Sequence, residues 1–365
     1  MTVGRSAGGT VWNIQILRFV AAAMVLFGHL NIEVAERPEM QTATFRPFEA
    51  VWWPGGVDIF FVISGFIMYH ISAGQFGTPG ASRRFMERRI IRLVPPYWAF
   101  TGLVLVAMLL FPAQLASSST SLWHVVASLL FIPAANPQGV AMPVLILGWT
   151  LNFEMVFYVC FALGLMLPRR WGIALITLIL LALGGGMAFG PYPLPMGFWS
   201  SSIAVEFLYG MAIAAARRKG VRIPDAVGIS LILSGVILLF MLSAMGISGV
   251  NFLWRPLWAG IPALLLCAGA ALVREPEMPG RIKKLLIFGG DMSFAIYLSH
   301  PFTLTIMAFF ATFVGLRNPW LYIEISFIIC LIVSAGIYIW FERPFYRWLT
   351  RIYDQRRSAN SVSAL

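Results

Sequence analysis

Nine ionisable residues fall inside or at the ends of long apolar runs: Arg18, His29, Asp58, His70, Glu154, Glu206, Asp291, His300 and Glu324. A charge at the centre of a bilayer costs about 3 kcal/mol on insertion scales, so each marks a polar interior or a function. His29 is the first choice for chemistry, because an imidazole takes and returns a proton near neutral pH. A helix-end histidine packed at the interface is the plain alternative. Arg18 precedes it by eleven residues, three helical turns and about 16.5 Å, so one helix face carries a cation at one end and a base at the other.

The other candidates divide by role. Glu154, in Trp149-Thr150-Leu151-Asn152-Phe153-Glu154, has no structural reason to be a carboxylate, and could orient His29, bind hydroxyls or pair with Arg255. Asp58, after Gly55-Gly56, serves catalysis or caps its helix. Arg83, Arg84, Arg88, Arg89 and Arg92 stand together before an apolar run, as a membrane anchor or as a phosphate grip. Arginine forks hold phosphates bidentately, and Arg89 and Arg92, three residues apart, share a helix face. His300, followed by Pro301, lines a cavity or bonds a neighbouring helix. Trp149 and Glu206 are assigned to substrate contact. His70 and His124 are read as packing residues.

Apolar runs must position these groups. The chain is 59% hydrophobic and 11% charged with a mean hydropathy of +0.82, which excludes a soluble domain. Runs near 13–31, 55–73, 92–111, 146–167, 171–189, 199–216, 226–245, 254–273, 287–314 and 320–341 predict an all-α, polytopic protein of about ten transmembrane helices. The stretch Leu122–Pro133 is too short to cross and reads as interfacial or re-entrant. Lys and Arg gather in alternate loops, leaving only Arg37, Arg46, Arg255 and Arg317 outside, which places both termini in the cytoplasm. The first external loop also holds Glu33, Glu36, Glu39 and Glu49. This topology puts His29, Asp58, Glu154 and Glu206 in the outer half as one acid and base cluster.

The net charge of +11 does not point to nucleic acid, because the basic residues lie between apolar runs and not on one arm. Cys160, Cys267 and Cys330 occupy separate apolar stretches without metal-ligand spacing, so no metal is expected. Residues 1–345 read as one membrane domain and 346–365 as a short basic cytoplasmic tail, with no appended catalytic domain.

Several elements together resemble the acyltransferase family three of membrane proteins, in its exopolysaccharide O-acetyltransferase branch. They are Arg18 with His29, Gly56-Val57-Asp58-Ile59-Phe60-Phe61, Arg88-Arg89-Ile90-Ile91-Arg92 before Pro95-Pro96-Tyr97-Trp98, Trp149-Thr150-Leu151 with Glu154, Tyr297-Leu298-Ser299-His300, and Phe341-Glu342-Arg343-Pro344-Phe345. The resemblance implies a bacterial inner-membrane enzyme that moves an acyl group, acetyl in the first instance, from acetyl-CoA or another acyl-CoA. The acceptor is a hydroxyl of a polysaccharide or a lipid-linked glycan. It implies Arg18 and His29 as the functional pair, Arg89 and Arg92 as the donor grip, and Glu154 as a site carboxylate. Glycan-assembly proteins or further copies of the chain are the expected partners. A transporter of lipid-linked sugar or anion would use similar buried charges, but no inverted repeat is visible. A non-catalytic scaffold would leave His29 and the carboxylates unexplained.

Overall fold

The computed structural model describes residues 11–40, 51–111, 120–246, 253–275 and 279–362. Arg46 and Glu49, used above for topology, lie outside the described residues. Where the apolar runs were long enough the backbone closes its hydrogen bonds within each segment, as hydrocarbon demands. The result is α1 (Trp12–Ala35), α2 (Gly55–Ser72), α3 (Ala81–Leu110), α4 (Leu122–Leu129), α5 (Gly148–Leu165), α6 (Arg169–Gly186) and α7 (Met196–Trp199). There follow α8 (Glu206–Arg218), α9 (Asp225–Ala244), α10 (Ile261–Leu272), α11 (Gly280–Asp291), α12 (Ser293–Val314), α13 (Pro319–Ile337) and α14 (Arg343–Val362).

Among the described residues, eight helices are long and apolar enough to cross a membrane: α1, α2, α3, α5, α6, α9, α12 and the run from α13 into α14. The protein is thus all-helical and polytopic. Two of the ten expected spans are shorter than that. The 199–216 run splits into a 3₁₀ turn, Ser202–Val205, and the thirteen-residue α8. The 254–273 run becomes a π turn, Pro256–Gly260, leading into α10. The expected 287–314 run breaks at Met292, so α12 starts at Ser293.

The arginine cluster is not a loop. Gly80, at φ +71°, turns the chain, and Ala81 opens a thirty-residue helix in which Arg83 to Arg92 form the first turns. Arg and Glu favour helix, and Arg83 bonds Glu87 four residues on at 2.8 Å. Pro95 and Pro96 sit inside α3 and leave the carbonyls of Ile91 and Arg92 without their usual donors. The segment read as a cytoplasmic tail is also helical: a π turn at Tyr338–Glu342 carries α13 straight into α14, which packs against α3.

The tightest seam joins α2 to α8. A Cβ added to Gly65 would lie 2.0 Å from the Phe207 carbonyl oxygen, and one on Gly210 would lie 1.9 Å from that of Val62. Only glycine at both points lets the two backbones touch, the small-residue packing common in membranes. A second close approach sets heights along the bundle. Gly56 lies against the Ala21 carbonyl and Met24, so the first turn of α2 meets the middle of α1 and not its His29 end. Leucine and phenylalanine side chains such as Leu109 and Phe313, 81% and 89% exposed, form the outer apolar surface.

Leu122–Pro133 forms the short α4 and an irregular return to α5. Tyr97 and Trp98 of α3 donate to the carbonyls of Ser128 and Leu129 at 3.0 and 2.8 Å, which anchors α4 beside the α5 amino end. His124 is a packing residue: it is buried, with Nε2 2.8 Å from the Met142 carbonyl and Nδ1 2.8 Å from the Thr120 hydroxyl.

Candidate active site

The buried charges settle in three places, where the sequence suggested one. The first is a cavity of about 260 Å³ between α1, α2, α3, α5 and α12, lined by Arg18, Arg89, Arg92, Glu154, Tyr158 and Tyr297 among others. The three-residue spacing on α3 sets Arg89 and Arg92 on one helix face, and Arg18 of α1 lines the same cavity. Arg18 is held by Gln15, whose Oε1 accepts at 3.0 Å. Arg89 stacks over Phe85 at 5.7 Å, and its Nε is buried without a partner. Glu342, Asp291 and Glu154 lie within electrostatic reach of Arg18.

Glu154 faces this cavity and not His29. It accepts from the Ser64 hydroxyl at 3.2 Å and from the Tyr158 hydroxyl in a short bond. It does not pair with Arg255. The i, i+4 spacing of Glu154 and Tyr158 was a readable signal for that contact, and Tyr158 and Ser64 were both missed. Glu342 was missed as well. It stood in the Phe341–Phe345 element without a role, yet it is nine-tenths buried and within electrostatic reach of Arg92 and Arg18, at the end of the π turn. Such bulges recur at functional sites.

The second place is sealed. Arg255 donates from Nε to Asp58 Oδ1 and from a terminal nitrogen to Asp58 Oδ2, both at 2.9 Å, with Arg255 1% and Asp58 0% exposed. Glu206 lies beside them, fully buried, with Oε1 4.0 Å from Arg255 Nε, and the Trp52 ring covers the guanidinium at 5.1 Å. Asp58 makes no cap bond at the α2 amino end. Neither carboxylate lines a cavity, and the contact of Gly56 with Ala21 sets Asp58 well below His29. The expected outer cluster of His29, Asp58, Glu154 and Glu206 is therefore not formed. Arg255, read as an external loop arginine, is its missing counter-ion.

The third place is an open cavity of about 810 Å³ near the carboxyl end of α1, lined by His29, Glu33, Arg37, His300, Thr312 and neighbouring apolar side chains. The His29 and His300 rings lie 4.8 Å apart, centre to centre. His29 Nδ1 sits 2.9 Å from the Val25 carbonyl and His300 Nδ1 3.0 Å from the Ile296 carbonyl. A carbonyl only accepts, so each neutral ring carries its proton on Nδ1 and keeps a basic Nε2. The Nε2 of His300 is buried without a partner.

The two cavities share α1 and α12 in their linings. Tyr297 lines the arginine cavity and His300 the open one, one turn apart on α12, on the order of 5 Å along the axis. Tyr297 is fixed by the Leu147 carbonyl at 3.0 Å and the Thr150 hydroxyl at 2.7 Å. Trp149, expected to touch substrate, packs edge-on to Phe153 and lines neither cavity. Among the described residues no group of three His, Cys, Asp or Glu side chains is placed to hold a metal ion.

Two comparisons bear on this arrangement. Residues 11–339 match the acyltransferase domain of the acyltransferase-three type. The chain is also 37% identical, over 306 residues, to the exopolysaccharide production protein ExoZ of Rhizobium meliloti strain 1021, covering 80% of this chain and 89% of that protein. No solved structure matches.

Proposed function

The chain belongs to this acyltransferase family, and from that premise we propose that it moves an acetyl group from acetyl-CoA to a hydroxyl of an exopolysaccharide or its lipid-linked precursor. As a family member it is a multi-pass membrane acyltransferase. The reading adds a donor, an acceptor side and a base. The observation that carries it is the imidazole pair in the wall between an arginine-lined cavity and an open one.

The arginine end is taken as cytoplasmic, because Arg83 to Arg92, Arg217 to Arg222 and the α14 arginines gather there. That orientation in a bacterial inner membrane gives the cavity access to a nucleotide thioester. Arg89 and Arg92 suit its phosphates, and the partnerless Nε of Arg89 is a free donor for one of them. The acyl arm would run past Phe60, Phe294 and Tyr297 toward His29. A glycan hydroxyl entering from the open cavity gives its proton to His29 Nε2 as its oxygen attacks the thioester carbon. The carbon–sulfur bond breaks, an oxygen ester forms, and the proton passes from His29 to the departing thiolate. In the variant route the Nε2 lone pair first takes the acyl group and then yields it to the hydroxyl.

The test is transfer of radiolabelled acetyl from acetyl-CoA to alkali-deacetylated exopolysaccharide in membranes holding wild type or His29→Ala at matched protein levels. Wild type transfers label and His29→Ala loses at least about a hundredfold, the usual scale of general base catalysis. Equal transfer by both removes His29 from the chemistry.

A further inference from the structure

The open cavity carries two buried polar atoms that bond nothing: His300 Nε2, which can only accept, and Arg37 Nε, which can only donate. A protein that buries one orphan acceptor and one orphan donor on a single cavity is shaped for a ligand that offers both, and a hydroxyl does. The surrounding charges narrow the class. Glu33 and Glu36 outnumber Arg37 among the lining residues, which disfavours an anion, in contrast to the arginine-lined cavity.

We propose that this cavity is the subsite for a neutral saccharide and that Glu33, Arg37 and His300 hold it. The inference rests on the acyltransferase reading and goes beyond it by naming the groups that grip the acceptor. Arg37, two residues past the end of α1, folds back onto Glu33 at 3.3 Å. His29 and Glu33 stand one turn apart on α1, about 6 Å along its axis. That is near the span between hydroxyls on opposite sides of one sugar ring.

The grip is prepared in advance. Glu33 accepts from the Tyr322 hydroxyl at 2.9 Å and from Arg37 at 3.3 Å. Arg37 in turn reaches Glu39 at 3.3 Å and the Thr312 hydroxyl at 3.4 Å, and stacks over Tyr322 at 5.5 Å. With α1, α12 and α13 thus tied together, Glu33 keeps lone pairs and Arg37 keeps its Nε for sugar hydroxyls. A pyranose held there turns one further hydroxyl toward His29 Nε2, while His300 Nε2 receives a neighbouring one.

The experiment uses oligosaccharides from alkali-deacetylated exopolysaccharide as acceptor, with wild type, Glu33→Gln, Arg37→Gln and Thr312→Val in membranes. It measures KM for acceptor, KM for acetyl-CoA, and thiol release without acceptor. Glu33→Gln and Arg37→Gln raise the acceptor KM about tenfold or more, the scale of a lost charge-assisted hydrogen bond, and leave the acetyl-CoA KM and thiol release unchanged. Should either variant fail to accumulate, Thr312→Val, which removes one hydroxyl, raises the acceptor KM about threefold. A neutral oligosaccharide competes for wild type and a uronate-bearing one of equal length does not. Acceptor KM values within twofold of wild type, a parallel rise in both KM values, or equal competition by the uronate overturns the subsite. Wild type that releases thiol but acetylates no saccharide overturns it too. Wild type that does neither sinks the acyltransferase reading beneath it.

Discussion

Arg255 decides whether the sealed cluster is structural, and its removal has a size that follows from the geometry. Replacing it by glutamine leaves Asp58 and Glu206, both fully buried, facing each other without a cation. Breaking a buried pair from one side costs about 3–5 kcal/mol, or about two to three and a half decades in the folding constant. Asp58→Asn should cost less, about 1.5–3 kcal/mol, the range for hydrogen bonds to charged groups. Glu206, with Oε1 4.0 Å from Arg255 Nε, then remains as counter-ion. The double variant Asp58→Asn/Arg255→Gln should recover part of the loss, because the two neutral amides can bond across the same gap. Equilibrium unfolding in mixed micelles ranks the four proteins. Acetyl transfer per folded molecule in the double variant should stay near wild type, since Asp58 lines neither cavity. An Arg255→Gln protein within about 1 kcal/mol of wild type, or Asp58→Asn as the more damaging change, would refute the counter-ion argument.

Two further predictions address the donor cavity and the helix seam. Arg89→Lys keeps the charge but loses the planar fork, so KM for acetyl-CoA should rise about tenfold with the acceptor KM unchanged, as steady-state kinetics in membranes would record. Gly210→Ala drives a methyl into the Val62 carbonyl and should destabilise the α2 to α8 seam by about 1–3 kcal/mol. Gly102→Ala, whose Cβ would meet nothing within 4 Å, is the control and should unfold with wild type in the same micelles.

The helices were legible because hydrocarbon forces every backbone group to bond within its own segment, so length and hydropathy nearly suffice. The pairing of Arg89 with Arg92 was legible for a similar reason, since helical spacing fixes which side chains share a face, whereas Arg18 joins them only through the packing of α1 near α3. What failed was distance across the bundle. Arg255 looked like an external topology marker because its partner, Asp58, lies 197 residues away in sequence. Glu154 looked like a neighbour of His29 because depth from the helix end was taken as depth in the membrane. The Gly56 contact with Ala21 and the Tyr97 contact with Ser128 show that helix ends in this bundle do not share one plane. Glu33 was read as a loop charge, although α1 runs on to Ala35 and its spacing from His29 was already a helical one, whereas Arg37 does lie past the helix end.

The three charge arrangements differ in what each leaves unsatisfied, and that difference assigns the work. At Asp58 and Arg255 both forks are filled, and the two Glu206 oxygens beside them, though without a hydrogen bond, line neither cavity described above, so the cluster serves to hold α2 against the start of α10. Around Arg18 and Arg92 the acids within electrostatic reach include Asp291 and Glu342, with Glu154 also near Arg18, yet among the described residues no direct ion pair joins them. Phosphates that bind bidentately can therefore displace a diffuse attraction in favour of a specific one. The Nε2 of His300 is buried without a partner, and His29 and His300 together line the open cavity. On the reading proposed above, the imidazole pair is the base that acyl transfer from the cationic cavity to the open one uses.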